Sequence, residues 1–85
     1  MSRILIVEDE ERIASFIRKG LNANGFTTTV VATGGEAVDH VVTGGFDLVL
    51  LDLGLPDTDG FDVLRRIRAL GVDVPVVILT ARDGV

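Results

Sequence analysis

Two unbroken apolar runs, Ile4-Leu5-Ile6-Val7 and Leu48-Val49-Leu50-Leu51, each end directly in acids. This feature most constrains the fold. A strand with no polar alternation has both faces buried, which is the mark of a parallel sheet with helices on each side. Between and after the runs the period changes to that of helices. Ile13, Phe16, Ile17 and Leu21 recur at helical spacing, and Gly25 after Asn24 supplies a stop. Phe26 to Val31 reads as a second strand, because threonine and valine fit a pleated surface. Thr33-Gly34-Gly35-Glu36 has the form of a capping box. It predicts a second helix with Ala37, Val38, Val41 and Val42 inward, ended by Gly44-Gly45. After Asp52, residues 53–60 form a loop. Asp59 caps a third helix carrying Val63, Leu64, Ile67 and Leu70, and Gly71 stops it. Val74 to Leu79 is a fourth strand with Thr80 at its end. The order β-α-β-α-β-α-β implies right-handed crossovers and helices on both faces of the sheet.

Composition narrows the function. The chain has 85 residues, 47% hydrophobic and 25% charged, which suits one small globular domain and argues against disorder. No cysteine is present, so disulfides and thiolate metal sites are excluded. A net charge of −5 argues against a nucleic-acid surface on this segment. No apolar run approaches the roughly 20 residues of a membrane span, and Met1-Ser2-Arg3 leads into too short a run for a signal peptide. A reducing cytosol is permitted.

Ligands of open parallel sheets bind at the carboxyl ends of strands. Here the first strand ends in Glu8-Asp9, the third in Asp52 and the fourth in Thr80. Taken singly, each has a plain explanation. Aspartate starts turns, acids in a first helical turn favour the dipole, and threonine ends strands. Glu10 and Glu11 are read as dipole acids only. Taken together, three carboxylates in one crevice repel one another, and one protonates unless a cation is present. Mg²⁺ accepts such oxygens and suits phosphoryl transfer, in which a carboxylate can be the nucleophile. The Thr80 hydroxyl would donate to a phosphoryl oxygen.

Other motifs are missing. Four acids stand where a dinucleotide fold has glycines, and no P-loop is present. Asp57-Thr58-Asp59-Gly60 resembles part of a calcium loop, but the first and twelfth positions would be Leu55 and Arg66. His40 lies mid-helix with no second ligand near it in sequence.

The segments Ile4 to Asp9, Asp47 to Gly60 and Pro75 to Ala81 together resemble two-component response-regulator receiver domains. The resemblance covers the whole chain in order and spacing. It implies a flavodoxin-like three-layer sheet ordered 2-1-3-4-5. It makes Asp52 the phosphoacceptor, with Asp9 a direct Mg²⁺ ligand and Glu8 acting largely through water. It makes the Gly54 carbonyl a further ligand, Thr80 the switch residue and the Ala81 amide a phosphoryl contact. Glu8 stands where the family more often has aspartate.

A complete receiver continues through another helix, a fifth strand and a fifth helix, with a lysine at the end of the fifth strand. The only lysine here is Lys19, so residues 1–85 are read as the N-terminal part of a receiver without an effector domain. Phosphorylation of this form is expected to be weak.

Gly54-Leu55-Pro56 and Arg65-Arg66-Ile67-Arg68 are most like receivers joined to winged-helix domains. The implied partners are a sensor histidine kinase, DNA only through an absent C-terminal domain, and a second copy of the chain at the open fourth-strand edge. The implied location is cytoplasmic, with no membrane contact. The implied role is phosphoacceptor, not enzyme. Two other classes compete. One is a haloacid-dehalogenase-like hydrolase, which wants a second aspartate where Gly54 stands. The other is a non-catalytic fragment.

Overall fold

The computed structural model describes residues 2–79. The elements follow the alternation: β1 Arg3–Val7, α1 Glu11–Ala23, β2 Thr27–Val31, α2 Gly34–Thr43, β3 Leu48–Asp52, α3 Gly60–Ala69 and β4 Val76–Leu79. The sheet is parallel in the order β2-β1-β3-β4. Ile6 sits between Val30 and Leu50, and Leu51 opposite Ile78. The expected flavodoxin-like order is met over the strands described.

Side chains alternate across a strand, so each strand feeds two faces. Leu5, Val7, Val31, Val49 and Leu51 point to one face and join Ala37, Val38, Val41, Val63 and Ile67 in a single core. Helices α2 and α3 close that face and pack on each other. Helix α1 packs on β2 and β1 across the other face, where Ile4 and Ile6 are buried. Leu48 and Leu50, on β3, are only half-buried. The reading of β3 as buried on both faces is therefore corrected on one face.

Further expectations change. Val42 and Leu70, read as facing inward, are exposed, as is Phe16 of α1. Val42 directly follows buried Val41, and Leu70 is already the cap residue of α3. The fourth strand begins at Val76, not Val74, although the Pro75 carbonyl still accepts from the Val49 amide at 2.9 Å. Proline has no amide hydrogen to give the ladder.

The stops are as read: Gly25, Gly44, Gly45 and Gly71 have positive φ, the conformation that glycine adopts without a Cβ penalty. The capping box is half formed. Thr33 Oγ1 accepts from the Glu36 amide at 3.2 Å, while Glu36 reaches back to the Ala32 amide and not to that of Thr33.

Candidate functional site

Parallel pairing of β1 with β3 sets two strand ends side by side. Glu8 and Asp9 follow β1 directly, and Asp52 is the last residue of β3. Each of the three offers a carboxylate oxygen, and these lie within 4.8 Å of one another. Glu8 is 4% exposed and Asp52 8%, whereas Asp9 is exposed. Burying carboxylates beside each other is unfavourable without a compensating partner. Glu8 registers the conflict. Burial, opposed by a hydrogen bond from the Glu10 amide (3.0 Å), raises its pKa, and the charges of Asp52 and Asp9 raise it further. The all-oxygen donor set and its surplus negative charge fit a hard divalent cation such as Mg²⁺.

A cleft of about 480 Å³ opens beside Glu8 and Asp9 on the β2 side, lined also by Val31 and Glu36 but not by Asp52. A larger hollow of about 590 Å³ lies along α1 beside Phe16 and includes none of the three carboxylates.

The β3–α3 loop carries Gly54, which is exposed. The loop closes on itself: Gly54 bridges Asp59, and the Gly60 amide donates to the Leu53 carbonyl at 3.3 Å. Asp59 caps α3, as expected, by accepting from the Phe61 amide at 2.8 Å. Gly60 is buried, and a β-carbon there would stand 2.8 Å from the Asp52 carbonyl oxygen. His40 is half-buried on α2 and hydrogen-bonds the Glu36 carbonyl through Nδ1, as its mid-helix position suggested. The expectations for Thr80 and Ala81 fall outside the described residues.

Asp57 was missed as a working residue. In sequence it was only part of a failed calcium pattern. In the structure it bonds the first two amides of α2. The signal was Gly34-Gly35, two side-chain-free residues that leave room for a carboxylate from elsewhere.

An open parallel α/β sheet with its acids gathered at the strand ends is a ligand-binding architecture, and comparison with known proteins gives it a family. The response regulator receiver domain matches residues 4–85. The uncharacterized transcriptional regulatory protein YkoG of Bacillus subtilis (strain 168) is 46% identical over 82 residues, covering 96% of this chain and 36% of that protein. Response regulator MprA of Mycolicibacterium vanbaalenii is 39% identical over 83 residues, covering 98% and 36%. The chain thus spans about a third of the length of these curated relatives.

Among solved structures, the receiver domain of the Francisella response regulator 1452 superposes with a TM-score of 0.91 at 33% identity. The match covers 99% of this chain and 69% of that one. Response regulator TrrA of Thermotoga maritima, in complex with Mg²⁺-BeF, gives 0.90 at 34% identity, covering 96% and 71%. The chain belongs to the response regulator receiver domain family. That membership is in the receiver family and not in the haloacid-dehalogenase family.

Proposed function

We propose that Asp52 accepts a phosphoryl group from the phosphohistidine of a sensor histidine kinase, in a Mg²⁺-dependent reaction that controls an output domain. The convergence of Glu8, Asp9 and Asp52 from two paired strands carries the reading. Residues 1–85 are the N-terminal part of a receiver domain in this account. An Asp52 carboxylate oxygen attacks phosphorus. The donor's P–N bond breaks as the P–O bond of an acyl phosphate forms, and the imidazole leaves with the electron pair and takes up a proton.

Asp9, Asp52 and the Gly54 carbonyl would hold the ion, with Glu8 acting largely through water. When bound, Mg²⁺ supplies positive charge against the equatorial phosphoryl oxygens. The Thr80 hydroxyl and Ala81 amide would contact the phosphoryl group. The protein modifies itself, and so is a regulator and not a turnover enzyme. The relatives' names as transcriptional regulators support a DNA-binding output carried elsewhere in the polypeptide. Among the described residues no helix is long and apolar enough to cross a membrane, in keeping with a cytoplasmic location. The β4 edge, bearing half-exposed Val77, is the surface for self-association.

Acetyl phosphate with Mg²⁺, followed by intact mass and peptide mapping, tests the reading. The test uses this chain and a longer polypeptide carrying the rest of a receiver. Label is expected on Asp52 alone, strongest in the longer form, and absent in Asp52→Asn. Asp9→Asn should weaken Mg²⁺ binding markedly in calorimetry. Label on Thr80, His40 or Asp57, or undiminished Mg²⁺ binding by Asp9→Asn, would overturn it.

A further inference from the structure

Asp57 has no part in the phosphoryl transfer just described, yet both oxygens of its carboxylate are hydrogen-bonded. One oxygen accepts from the Gly34 amide at 2.8 Å and the other from the Gly35 amide at 3.1 Å. These are the first amides of a ten-residue helix, groups with no partner inside it. Thr33 satisfies the next two, through Oγ1 to Glu36 at 3.2 Å and through its carbonyl to Ala37 at 3.1 Å. Asp57 therefore completes the start of α2 from a segment 23 residues away. The two amides hold its pKa below the usual carboxylate range, so the bonds are charge-assisted and stronger than neutral ones. The approach is close. Gly34 is buried, and a β-carbon there would stand 2.7 Å from Val63 Cγ2 and collide with the Thr58 methyl.

The loop that bears Asp57 is closed at its base by the Gly54–Asp59 bridge and the Gly60–Leu53 bond. Its tip is fastened to α2 by Asp57. Gly54 belongs to the base closure and stands three residues before Asp57.

We infer that Asp57 is a positioning residue of the metal site: its bonds to the start of α2 seat the β3–α3 loop and so set how the Gly54 carbonyl, the ligand proposed above, is presented to the ion. This rests on the proposed Mg²⁺ reading. A loop seated only part of the time binds with an affinity reduced by the seated fraction. Coupling is reciprocal, so Mg²⁺ in turn holds the loop on α2 and protects the Gly34 and Gly35 amides.

The test is calorimetric Mg²⁺ titration of the chain and of Asp57→Ala, Asp57→Asn and Glu11→Gln. At about 0.5 M salt, through-space effects of exposed charges are largely screened. Asp57→Ala is expected to weaken binding about tenfold, the low end for groups that orient a ligand from outside. Asp57→Asn keeps one acceptor oxygen and should lose less, and Glu11→Gln should bind as the wild type. Hydrogen exchange supplies a second readout, with circular dichroism confirming that each variant is folded. Mg²⁺ should slow exchange at Gly34 and Gly35 in the wild type and not in Asp57→Ala. Wild-type affinity in both Asp57 variants, an equal loss in Glu11→Gln, or no effect of Mg²⁺ on Gly34 and Gly35 overturns the inference and leaves the metal site standing. Absence of Mg²⁺ binding by the wild type overturns both.

Discussion

The two sides of the sheet are built from the same kind of residue and end up differently. Beneath α2 and α3, Leu5, Val7, Val49, Leu51, Val63 and Ile67 are fully buried. On the side of α1, Ile4 and Ile6 are buried beneath the helix, but Phe16 is 81% exposed and Val77 46%. Hydrophobicity does not separate them, because the open side carries phenylalanine, isoleucine and leucine. Coverage does. Among the described residues, two helices in mutual contact seal one side, and α1 alone, lying over β1 and β2, leaves β3 and β4 partly bare. Burial here depends on how many helices share a face.

The strongest way to break this contrast is truncation on each side. Ile67→Ala should destabilise by about 2–5 kcal/mol, as core truncations do. Phe16→Ala should stay within about 0.5 kcal/mol, as exposed substitutions do. Urea unfolding of both variants makes the measurement. Equal losses would mean that the open side is covered in solution, and a midpoint that rises with protein concentration would point to a second copy.

A smaller effect sharpens the contrast at the helix starts. Helix α2, on the closed side, has Thr33 as a side-chain cap, whereas Glu10 at the start of α1 makes no side-chain cap bond. Thr33→Ala should cost about 1 kcal/mol. Glu10→Ala should be nearly silent in the same assay.

The smallest effect is that of acid. Asp57 has a lowered pKa in the folded chain, so its contribution is present above the unfolded value near 3.9 and is lost as pH falls through the folded one. Melting temperatures taken below about pH 4 should therefore fall more for the wild type than for Asp57→Asn. Parallel curves would show that the charge on Asp57 adds nothing to α2.

Sequence periodicity carried most of this architecture, for particular physical reasons. Ile4 to Val7 and Leu48 to Leu51 are too short and too continuously apolar to be amphipathic helices. Glycines at 25, 44, 45 and 71 punctuate the helices because they accept positive φ. The acids that end β1 and β3 were legible as a pair because parallel sheets gather strand ends. The outward turn of Phe16, Val42 and Leu70 was not legible, since a 3.6-residue period defines a stripe without saying how wide the partner beneath it is. Nor was Asp57, whose partners lie on another element. No local pattern encodes a hydrogen bond between a loop tip and the start of a distant helix.

The pairing of β1 with β3 also closes the longest stretch of sequence in the sheet. The bond from the Arg3 amide to Asp47 beside this pairing spans 44 residues, and contacts so distant in sequence form slowly because a long segment must close first. The step that docks β3 on β1 is the step that forces Glu8, Asp9 and Asp52 together. The site is therefore assembled against its own repulsion at the pairing that joins the most distant stretches of sequence in the sheet. Refolding of this chain should quicken when divalent cations or salt are present, because they relieve that repulsion as the strands meet.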